Sequence, residues 1–154
     1  MDYLIRLMND ADAHAISQWH YDGPYSFYDV ASDPDDLAEL LDAEARADSY
    51  WTVTDEQGAL VGFFSLHVEG NVVEIGLGMR PDLTGKGNGL LFLQSGVKFM
   101  MNKYQPSAII LHVATFNQRA IRVYEKAGFA TVQRLMRETN GGQHEFVKMV
   151  MHVE

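Results

Sequence analysis

The sequence has 154 residues, 47% of them hydrophobic, and a formal net charge of −9 at pH 7. This length suits one domain with a hydrophobic core, so residues 1–154 are predicted to form a single domain. The negative charge disfavours nucleic acid as a partner, because binding to phosphates needs a basic surface. No apolar run approaches the roughly 18 residues that span a membrane, so no membrane association is expected.

The cysteine content and the first residues of the sequence indicate the cellular compartment of the protein. The chain has no cysteine, which excludes disulfides, thiolate metal sites and a cysteine nucleophile. The opening stretch "MDYLIRLMND" lacks the basic and apolar regions of a signal peptide. The expected location is therefore the cytoplasm.

The N-terminal part of the chain is predicted to contain one short strand and two helices. "YLIRL" (3–7) reads as the strand, and residues 9–20 as a helix capped by Asn9 or Asp10. Residues 21–32 show no clear period and are interpreted as a loop. Residues 33–47 are predicted to form the second helix, with Asp33 as its cap. Its buried stripe is expected to consist of Leu37, Leu40, Leu41 and Ala45.

The rest of the chain alternates between strands and helices. Residues 49–55, 59–68 and 72–79 are predicted to form an antiparallel meander. A glycine-rich turn and a helix over about 87–103 follow, then a central strand over 107–115. A helix capped by Asn117 and ended by Gly128 precedes a final hairpin around "TNGG". The predicted order is βααβββαβαββ, which is typical of an α+β fold (α/β in some schemes).

Charge is divided unevenly along the chain. Residues 1–55 contain 13 acidic and two basic residues, whereas residues 56–154 contain 8 acidic and 10 basic residues. One interpretation is two solvated surfaces of a globular protein. The other is a cationic ligand beside the first part and an anionic ligand beside the second.

The stretch "TGKGNGLL" (84–91) is a candidate anion site. Its glycines fail the spacing of the P-loop and of the dinucleotide fingerprint. Glycine nevertheless lets main-chain N–H groups approach a ligand, and the following helix start adds roughly half a positive charge. Lys86 adds a side-chain cation. The stretch therefore favours a phosphate or pyrophosphate site, and the alternative is a glycine-rich turn without a ligand.

Two segments together resemble the GNAT superfamily of acyl-CoA-dependent N-acetyltransferases. "MRPDLTGKGNGLL" is similar to its pyrophosphate loop, Gln/Arg-x-x-Gly-x-Gly/Ala, with Thr84 where the family has Gln or Arg. "NQRAIRVYEKAGF" is similar to the family's Asn-x-x-Ala-x-x-x-Tyr-x-x-x-Gly-Phe segment. The resemblance runs from about residue 49 to the C-terminus. It implies a single GNAT-like domain with a mixed, mostly antiparallel sheet of about seven strands and about four flanking helices.

The resemblance also implies a reaction, in which acetyl-CoA is the co-substrate and a primary amine attacks its thioester directly in a ternary complex. No metal is expected, since no His, Asp or Glu pair has ligand spacing. The strand segment Leu77–Met79 would supply the oxyanion site, and the glycine turn would bind the pyrophosphate. The implied CoA-binding residues are Leu77, Gly78, Met79, Gly85, Lys86, Gly87, Asn88, Gly89, Leu90, Asn117, Ala120 and Tyr124.

Tyr124 and Glu74 are the candidate catalytic residues. Tyr124 would act as general acid toward the leaving thiolate; the alternative is a core tyrosine of an amphipathic helix. Glu74 would act as base, or instead serve as a paired, orienting carboxylate. His112 and His67 are weaker candidates. Arg119, Arg122 and Lys126 either reach the 3′-phosphate of CoA or form a solvated helix face.

Aromatic residues among acids mark the expected acceptor side. The candidates are Trp19, Tyr21, Tyr25 and Tyr28, close in sequence to Asp22 and Asp29. Such a set suits a small cationic amine through cation–π contact and charge; the alternative is an aromatic mini-core under a loop. The predicted function is thus N-acetylation of a small-molecule amine. A protein or peptide N-terminal acetyltransferase and a non-catalytic CoA-binding sensor domain stay open, and the C-terminal hairpin is a candidate homodimer contact.

Overall fold

The structure is a computed structural model, and it describes residues 3–153. The chain divides into two compact units. The first unit contains the residues up to 65, together with 77–84 and 139–142. The second contains 66–76, 85–138 and the residues from 143 onward. Among residues 3–153, no helix is both long and apolar enough to cross a membrane.

Within residues 3–153, seven strands form one sheet. They are β1 (Leu4–Leu7), β2 (Tyr50–Thr54), β3 (Leu60–Glu69), β4 (Val72–Met79), β5 (Ala108–Ala114), β6 (Ala130–Thr139) and β7 (Gly142–His152). Their order is β1-β2-β3-β4-β5-β7-β6. The sheet is mixed, because β4 pairs with β5 in parallel whereas the pairs β1–β2, β2–β3 and β5–β7 are antiparallel. The predicted α+β fold with a mixed, mostly antiparallel sheet is confirmed.

The described part of the chain has five α-helices where about four were predicted. They are α1 (Asp10–Ser17), α2 (Pro34–Leu41), α3 (Ala43–Arg46), α4 (Gly89–Tyr104) and α5 (Gln118–Ala127). The extra helix arises at Asp42, whose backbone is extended (φ −96°, ψ 112°) and whose side chain accepts hydrogen bonds from the N–H groups of Glu44 and Ala45. A second cap inside the predicted segment thus divides it into α2 and α3.

The break also changes which residues are buried. Leu40 is 1% exposed, as expected, but Leu41 is 47% exposed and Ala45 is exposed as well. Arg46 is buried instead, with its guanidinium donating to Met8 O at 3.3 Å and paired with Asp10. The stripe prediction was wrong at Leu41 and Ala45 because it assumed one uninterrupted helical period.

Residues 21–32 are not the irregular loop that was predicted. They form two 3-10 helices, Gly23–Tyr28 and Val30–Ser32. Pro24 lies at the start of the first one, where its fixed φ and missing N–H suit the first turn. Such short helices bury too little apolar surface to leave a clear periodic pattern in the sequence.

The first unit has a core built largely around α1. Met8, Ala13, Ile16 and Leu40 are buried together. α1 begins with a capping box, in which Asn9 Oδ1 accepts from Asp12 N and an Asp12 carboxylate oxygen accepts from Asn9 N. The half-buried side chains packed against this core are Trp19, Val30, Tyr50, Leu60 and Phe63.

The second unit is organised around β5, which is the predicted central strand. β5 pairs with β7 along its whole length, from Ala108 opposite His152 to Ala114 opposite Phe146. Ile109, Leu111 and Val113 alternate with half-buried residues and are at most 2% exposed. The other deeply buried apolar residues of this unit include Phe92, Leu93 and Met100 of α4 and Met149 of β7.

Asp33 connects two separate stretches of the first unit, the start of α2 and the turn at residues 139–140. One carboxylate oxygen accepts from Thr139 Oγ1 at 2.8 Å and Asn140 N at 3.1 Å. The other accepts from Asp35 N at 2.9 Å and Asp36 N at 3.2 Å, which caps α2. These bonds, led by the one from the Asn140 backbone, hold the pKa of Asp33 below its ordinary 3.8.

We expect Asp33→Ala to lower the free energy of unfolding by about 1–2 kcal/mol at neutral pH, because both a cap and a link to the 139–140 turn are lost. Urea denaturation would measure the change, with Asp35→Ala in the same helix turn as control. A carboxyl whose folded pKa is depressed stabilises the protein above its unfolded pKa and stops doing so as pH falls through the folded value. The difference between wild type and Asp33→Ala should therefore shrink below pH 3.8, and equal stability at pH 7 would contradict this role.

Candidate active site

Two left-handed residues shape the turn that leads into α4. Gly85 has φ +72° and Gly87 has φ +81°, a region in which a Cβ atom collides with the adjacent carbonyl oxygen. Both residues are exposed, and α4 begins two residues later, at Gly89. The left-handed backbone conformation thus explains two of the three glycines in residues 84–91.

α4 begins differently from the other described α-helices. The side chains of Asn9, Asp33, Asp42 and Asn117 each accept a hydrogen bond from the first turn of their helix. Asn88 stands at this position before α4, but its side chain makes no such bond. The first-turn N–H groups of α4 therefore keep no side-chain cap, and they lie at the positive end of a 16-residue helix. Such a helix start can bind an anion.

Arg119 brings a cation to the same turn. A Cβ added to Gly85 would lie 3.1 Å from Arg119 Nη1, and one added to Gly89 would lie 3.6 Å from Val123. Arg119 and Val123 are one turn apart on α5, so this face of α5 runs along the segment from Gly85 to Gly89. The sequence left Arg119 open between a phosphate contact and a solvated face, and it did not link the residue to Gly85.

Thr84 does not extend like the Gln or Arg that it replaces in the family motif. Its hydroxyl donates to Pro81 O at 2.8 Å. The side chain thereby closes the 3-10 turn Pro81–Leu83, after which Thr84 takes an extended backbone conformation (φ −75°, ψ 152°). Thr84 thus has a local structural role.

The parallel ladder between β4 and β5 is short. Its pairs are Val72 with Ala108, Val73 with Ile109, and Glu74 with Ile110. β4 continues to Met79 and β5 to Ala114, beyond the last pair. Glu74 is thus the residue at which the ladder ends, and the candidate segment Leu77–Met79 lies past that end.

Gly78 and Met79 each make a specific contact within the first unit. A Cβ on Gly78 would lie 2.5 Å from Cε1 of Phe63, so the ring packs directly on the strand backbone. Met79 O accepts a hydrogen bond from the Tyr21 hydroxyl at 2.6 Å. Packing against Phe63 is therefore a sufficient reason for glycine at position 78.

Glu74 lies beside His112. Oε2 of Glu74 is 3.4 Å from Nδ1 of His112, and the two side chains are 39% and 15% exposed. Burial lowers the pKa of His112, while the charge of Glu74 opposes that shift. The imidazole is therefore uncharged at neutral pH, and this contact is not a pair of opposite charges.

Asn117 caps α5 and Tyr124 lies on this helix, as the sequence predicted. Asn117 is 8% exposed, and its Oδ1 accepts from Ala120 N at 3.1 Å, which confirms its predicted role as a cap. Tyr124 lies seven residues further, about two helical turns away. It is half-buried, and its ring is 6.3 Å from that of Phe129, edge to face. Gly128 ends the helix with φ +108°.

The aromatic candidates of the first unit are held in place by packing and hydrogen bonds. Trp19 packs on Phe63, with ring centroids 6.3 Å apart. Tyr21 N donates to Asp29 Oδ1 at 2.8 Å, and the other oxygen of Asp29 is paired with His20. Burial, and then the charge of Asp29, raises the pKa of the Tyr21 phenol. Tyr25 and Tyr28 are half-buried in the 3-10 helix Gly23–Tyr28.

Asp29 does not serve as an exposed acid for a cationic acceptor, which its place in the sequence predicted. Its side chain is 9% exposed and is engaged by Tyr21 and His20, so it orders the aromatic segment, and Asp22 is the exposed acid of the two. Across residues 3–153, no group of three His, Asp or Glu residues is arranged to hold a metal ion.

A family model described as the acetyltransferase (GNAT) domain matches residues 3–130. A spermidine N(1)-acetyltransferase of Vibrio cholerae is 27% identical over 142 residues, which cover 87% of this chain and 78% of that protein. A mycothiol acetyltransferase of Propionibacterium freudenreichii is 39% identical over 85 residues, covering 51% of this chain and 26% of the relative. The chain thus spans about a quarter of the mycothiol acetyltransferase that it matches.

Solved structures have the same fold. The spermidine N-acetyltransferase of Vibrio cholerae in complex with CoA and spermine superposes with a TM-score of 0.77 at 21% identity, covering 97% of this chain and 95% of the other. Because the family model covers most of the sequence, and covers both the glycine turn and the Asn117–Phe129 segment, the chain belongs to the GNAT acetyltransferase domain family.

Proposed function

We propose that this protein is an N-acetyltransferase that moves an acetyl group from acetyl-CoA to a primary amine of a small cationic acceptor. The amine attacks the thioester directly in a ternary complex. The observation that carries the proposal is the uncapped start of α4 behind two left-handed glycines, with Arg119 beside the first of them. In a GNAT chain, this combination fits a pyrophosphate better than it fits a turn without a ligand.

The residues around the turn would hold the co-substrate. Main-chain N–H groups of residues 85–90 would bind the pyrophosphate, while Lys86 and Arg119 add positive charge. Leu77, Gly78 and Met79 stay predicted contacts of the thioester, and Asn117 and Ala120 stay predicted contacts of CoA. Bound acetyl-CoA supplies the activated acetyl group, and the chain supplies orientation, an oxyanion site and proton transfer.

Arg119 also explains how the chain can bind CoA without the Gln or Arg of the family motif at position 84. Thr84 uses its hydroxyl within its own turn, so it offers no long polar side chain. The guanidinium of Arg119 reaches Gly85 from α5. A cation from a different element would thus compensate for the departure at Thr84.

We expect Arg119→Gln to raise the Kd for CoA about tenfold while kcat at saturating acetyl-CoA changes little, because a charge-assisted contact to phosphate is lost. Isothermal titration calorimetry and steady-state kinetics would measure both. Arg122→Gln is the matched control, since Arg122 is exposed on the same helix. Equal CoA affinity in the two variants, with unchanged thermal stability, would remove Arg119 from the site.

Tyr124 is the proposed general acid for the leaving thiolate. A phenol has an ordinary pKa near 10 and a thiol one near 8.5, so the transfer depends on positioning as well as on acidity. Placement on α5 and the edge-to-face contact with Phe129 hold the ring in one orientation.

Tyr124→Phe should lower kcat about a hundredfold and leave CoA affinity nearly unchanged, because the ring packing remains while the proton donor is lost. Pre-steady-state and steady-state rates with a fixed amine would test this. A variant with wild-type kcat would exclude Tyr124 as the acid.

The acceptor is proposed to be a polyamine-like cation. Residues 1–55 contain 13 acidic and two basic residues, and the spermidine acetyltransferase relative covers most of the chain. Trp19, Tyr21, Tyr25 and Tyr28 would offer aromatic surface to such a cation. A peptide N-terminus is the second candidate acceptor, and it predicts a different product.

The decisive experiment incubates the protein with acetyl-CoA and a panel of spermidine, a monoamine, an aminoglycoside and a peptide. Thiol release and mass spectrometry would report turnover and product. We expect spermidine to be acetylated fastest. Preferential acetylation of the peptide would favour the N-terminal acetyltransferase, and CoA-dependent stabilisation without any turnover would favour a sensor domain.

Three further expectations stay predictions. They are a single domain over residues 1–154, a cytoplasmic location, and a homodimer contact through the β6–β7 hairpin. For the last, β6 lies at one end of the strand order, and it exposes Val132 and Met136, which are 57% and 58% exposed. Analytical ultracentrifugation of wild type and a Val132→Lys variant would test the dimer.

A further inference from the structure

We propose that Tyr21 is a positioning residue of the acetyl transfer. Its hydroxyl holds the carbonyl of Met79, so that the N–H of Met79 keeps its direction toward the oxygen of the acetyl group. The same residue thereby joins the aromatic acceptor segment, residues 20–29, to the end of β4. This proposal rests on the proposed acetyltransferase function, and it adds a hydroxyl that acts through Met79 without touching the reacting atoms.

The peptide group between Met79 and Arg80, at the end of β4, is held from two sides. On one side, Arg80 N donates to Val61 O at 2.9 Å, and the Arg80 guanidinium donates to Leu60 O at 2.9 Å. On the other side, the Tyr21 hydroxyl donates to Met79 O at 2.6 Å. Strand β3 thus restrains one side of this peptide, whereas a side chain 58 residues away in the sequence restrains the other.

The bond from Arg80 to β3 also indicates which way Met79 faces. Along a strand, the N–H and C=O of one residue point to the same side, and those of the next residue point to the opposite side. Since Arg80 N points to β3, the N–H and C=O of Met79 point away from β3. The pairing of β4 with β5 ends earlier, at Glu74, so Met79 N–H is directed to an edge where the ladder has already stopped.

Glycine at position 78 makes such a restraint necessary. An added Cβ on Gly78 would approach Cε1 of Phe63 to 2.5 Å, so the packing requires glycine here. Glycine is also the residue whose backbone has the most conformational freedom. Because the N–H of Met79 belongs to the peptide that follows Gly78, rotation at Gly78 would turn this N–H away from its direction. The Phe63 ring before this peptide and the Tyr21 bond after it restrain that rotation.

The Tyr21 hydroxyl keeps its proton and can therefore donate to Met79 O at any physiological pH. Burial, and then the charge of Asp29, raises the pKa of this phenol above its ordinary 10.0. The same shift makes Tyr21 a poorer acid than an exposed tyrosine. The proton for the leaving thiolate is thus not expected from Tyr21, which separates its role from the one proposed for Tyr124.

The rest of Tyr21 belongs to the acceptor segment. Its main-chain N–H donates to Asp29 Oδ1 at 2.8 Å. Trp19 packs on Phe63, whose ring lies on Gly78. An amine bound among these aromatic side chains would therefore be held at a fixed distance from the end of β4. Because attack on a carbonyl depends on the mutual orientation of the two reactants, this link would raise the rate of transfer more than the affinity for either substrate.

The kinetic test compares Tyr21→Phe with wild type, because this change removes the hydroxyl and keeps the ring. We expect kcat at saturating acetyl-CoA and spermidine to fall about ten- to thirtyfold, less than the roughly 10²–10³ that loss of a whole oxyanion donor costs. The Kd for CoA should stay unchanged, and KM for spermidine should change less than about threefold. Tyr50→Phe is the matched control, since Tyr50 is a half-buried tyrosine of the same unit whose hydroxyl bonds to Glu39. It should keep wild-type kcat.

The NMR signal of the Met79 amide gives a readout without turnover. Acetonyl-CoA offers a carbonyl oxygen but no thioester, so it can accept a hydrogen bond and cannot transfer its acyl group. Relative to CoA, acetonyl-CoA should shift the Met79 amide proton downfield in wild type and in Tyr50→Phe. The shift should be much smaller in Tyr21→Phe, because the N–H no longer keeps its direction.

Wild-type kcat in Tyr21→Phe would overturn the role of Tyr21. An equal loss of kcat in Tyr50→Phe would do so too, as would a Met79 amide shift that is the same in all three proteins. Absence of turnover in wild type with every amine would instead overturn the proposed function. The amide signal would still decide the role of Tyr21 in that case, since it needs ligand binding and no chemistry.

Discussion

The early end of the parallel pairing between β4 and β5 is the constraint on which the proposed chemistry depends. Three residue pairs hold the two strands together, and the last of them contains Glu74. A longer ladder would use up the main-chain donors of the following residues, and it would place another side chain at the end. Because the pairing stops there, one carboxylate lies at the boundary, and His112 follows two residues past its partner on β5. The register of a few hydrogen bonds thus determines which carboxylate and which imidazole lie side by side.

The start of α4 can bind an anion because its first-turn N–H groups have no side-chain cap. Other described α-helices begin with a side chain that accepts hydrogen bonds from the first turn, whereas Asn88 does not. Gly85 and Gly87 carry the backbone through left-handed conformations that leave the turn exposed. The charge then comes from α5, through Arg119, and not from the residue in front of the glycines. We propose that Arg119 replaces the long polar side chain that the family motif has at position 84, where this chain has Thr84.

Much of the fold could be predicted from the sequence, because strong local signals coincide with the elements. The seven strands, the cap at Asn117 and the stop at Gly128 follow from periodicity and capping chemistry. The cap at Asp42 was not predicted because the helical pattern around it looks continuous in the sequence. The 3-10 helices over residues 23–32 were not predicted because they show no clear period. In the site, the order of motifs indicated the turn and α5. The contacts of Arg119 with Gly85, of Tyr21 with Met79 and of Glu74 with His112 depend on tertiary packing, which a single sequence does not encode in its spacing.

The bonds of Asp33 have a consequence for the order of events during synthesis. Thr139 and Asn140 follow Asp33 by 106 and 107 residues, and the Asn140 side chain also donates to Phe27 O at 2.6 Å, across 113 residues. At about 5–20 residues per second, a ribosome needs roughly 5–20 s to deliver these partners. Until then, Asp33 can cap α2, but its two bonds to the 139–140 turn and the bond from Asn140 to Phe27 O are absent. The 3-10 helix Gly23–Tyr28 therefore gains its link to Asn140 only after most of the chain has been synthesised.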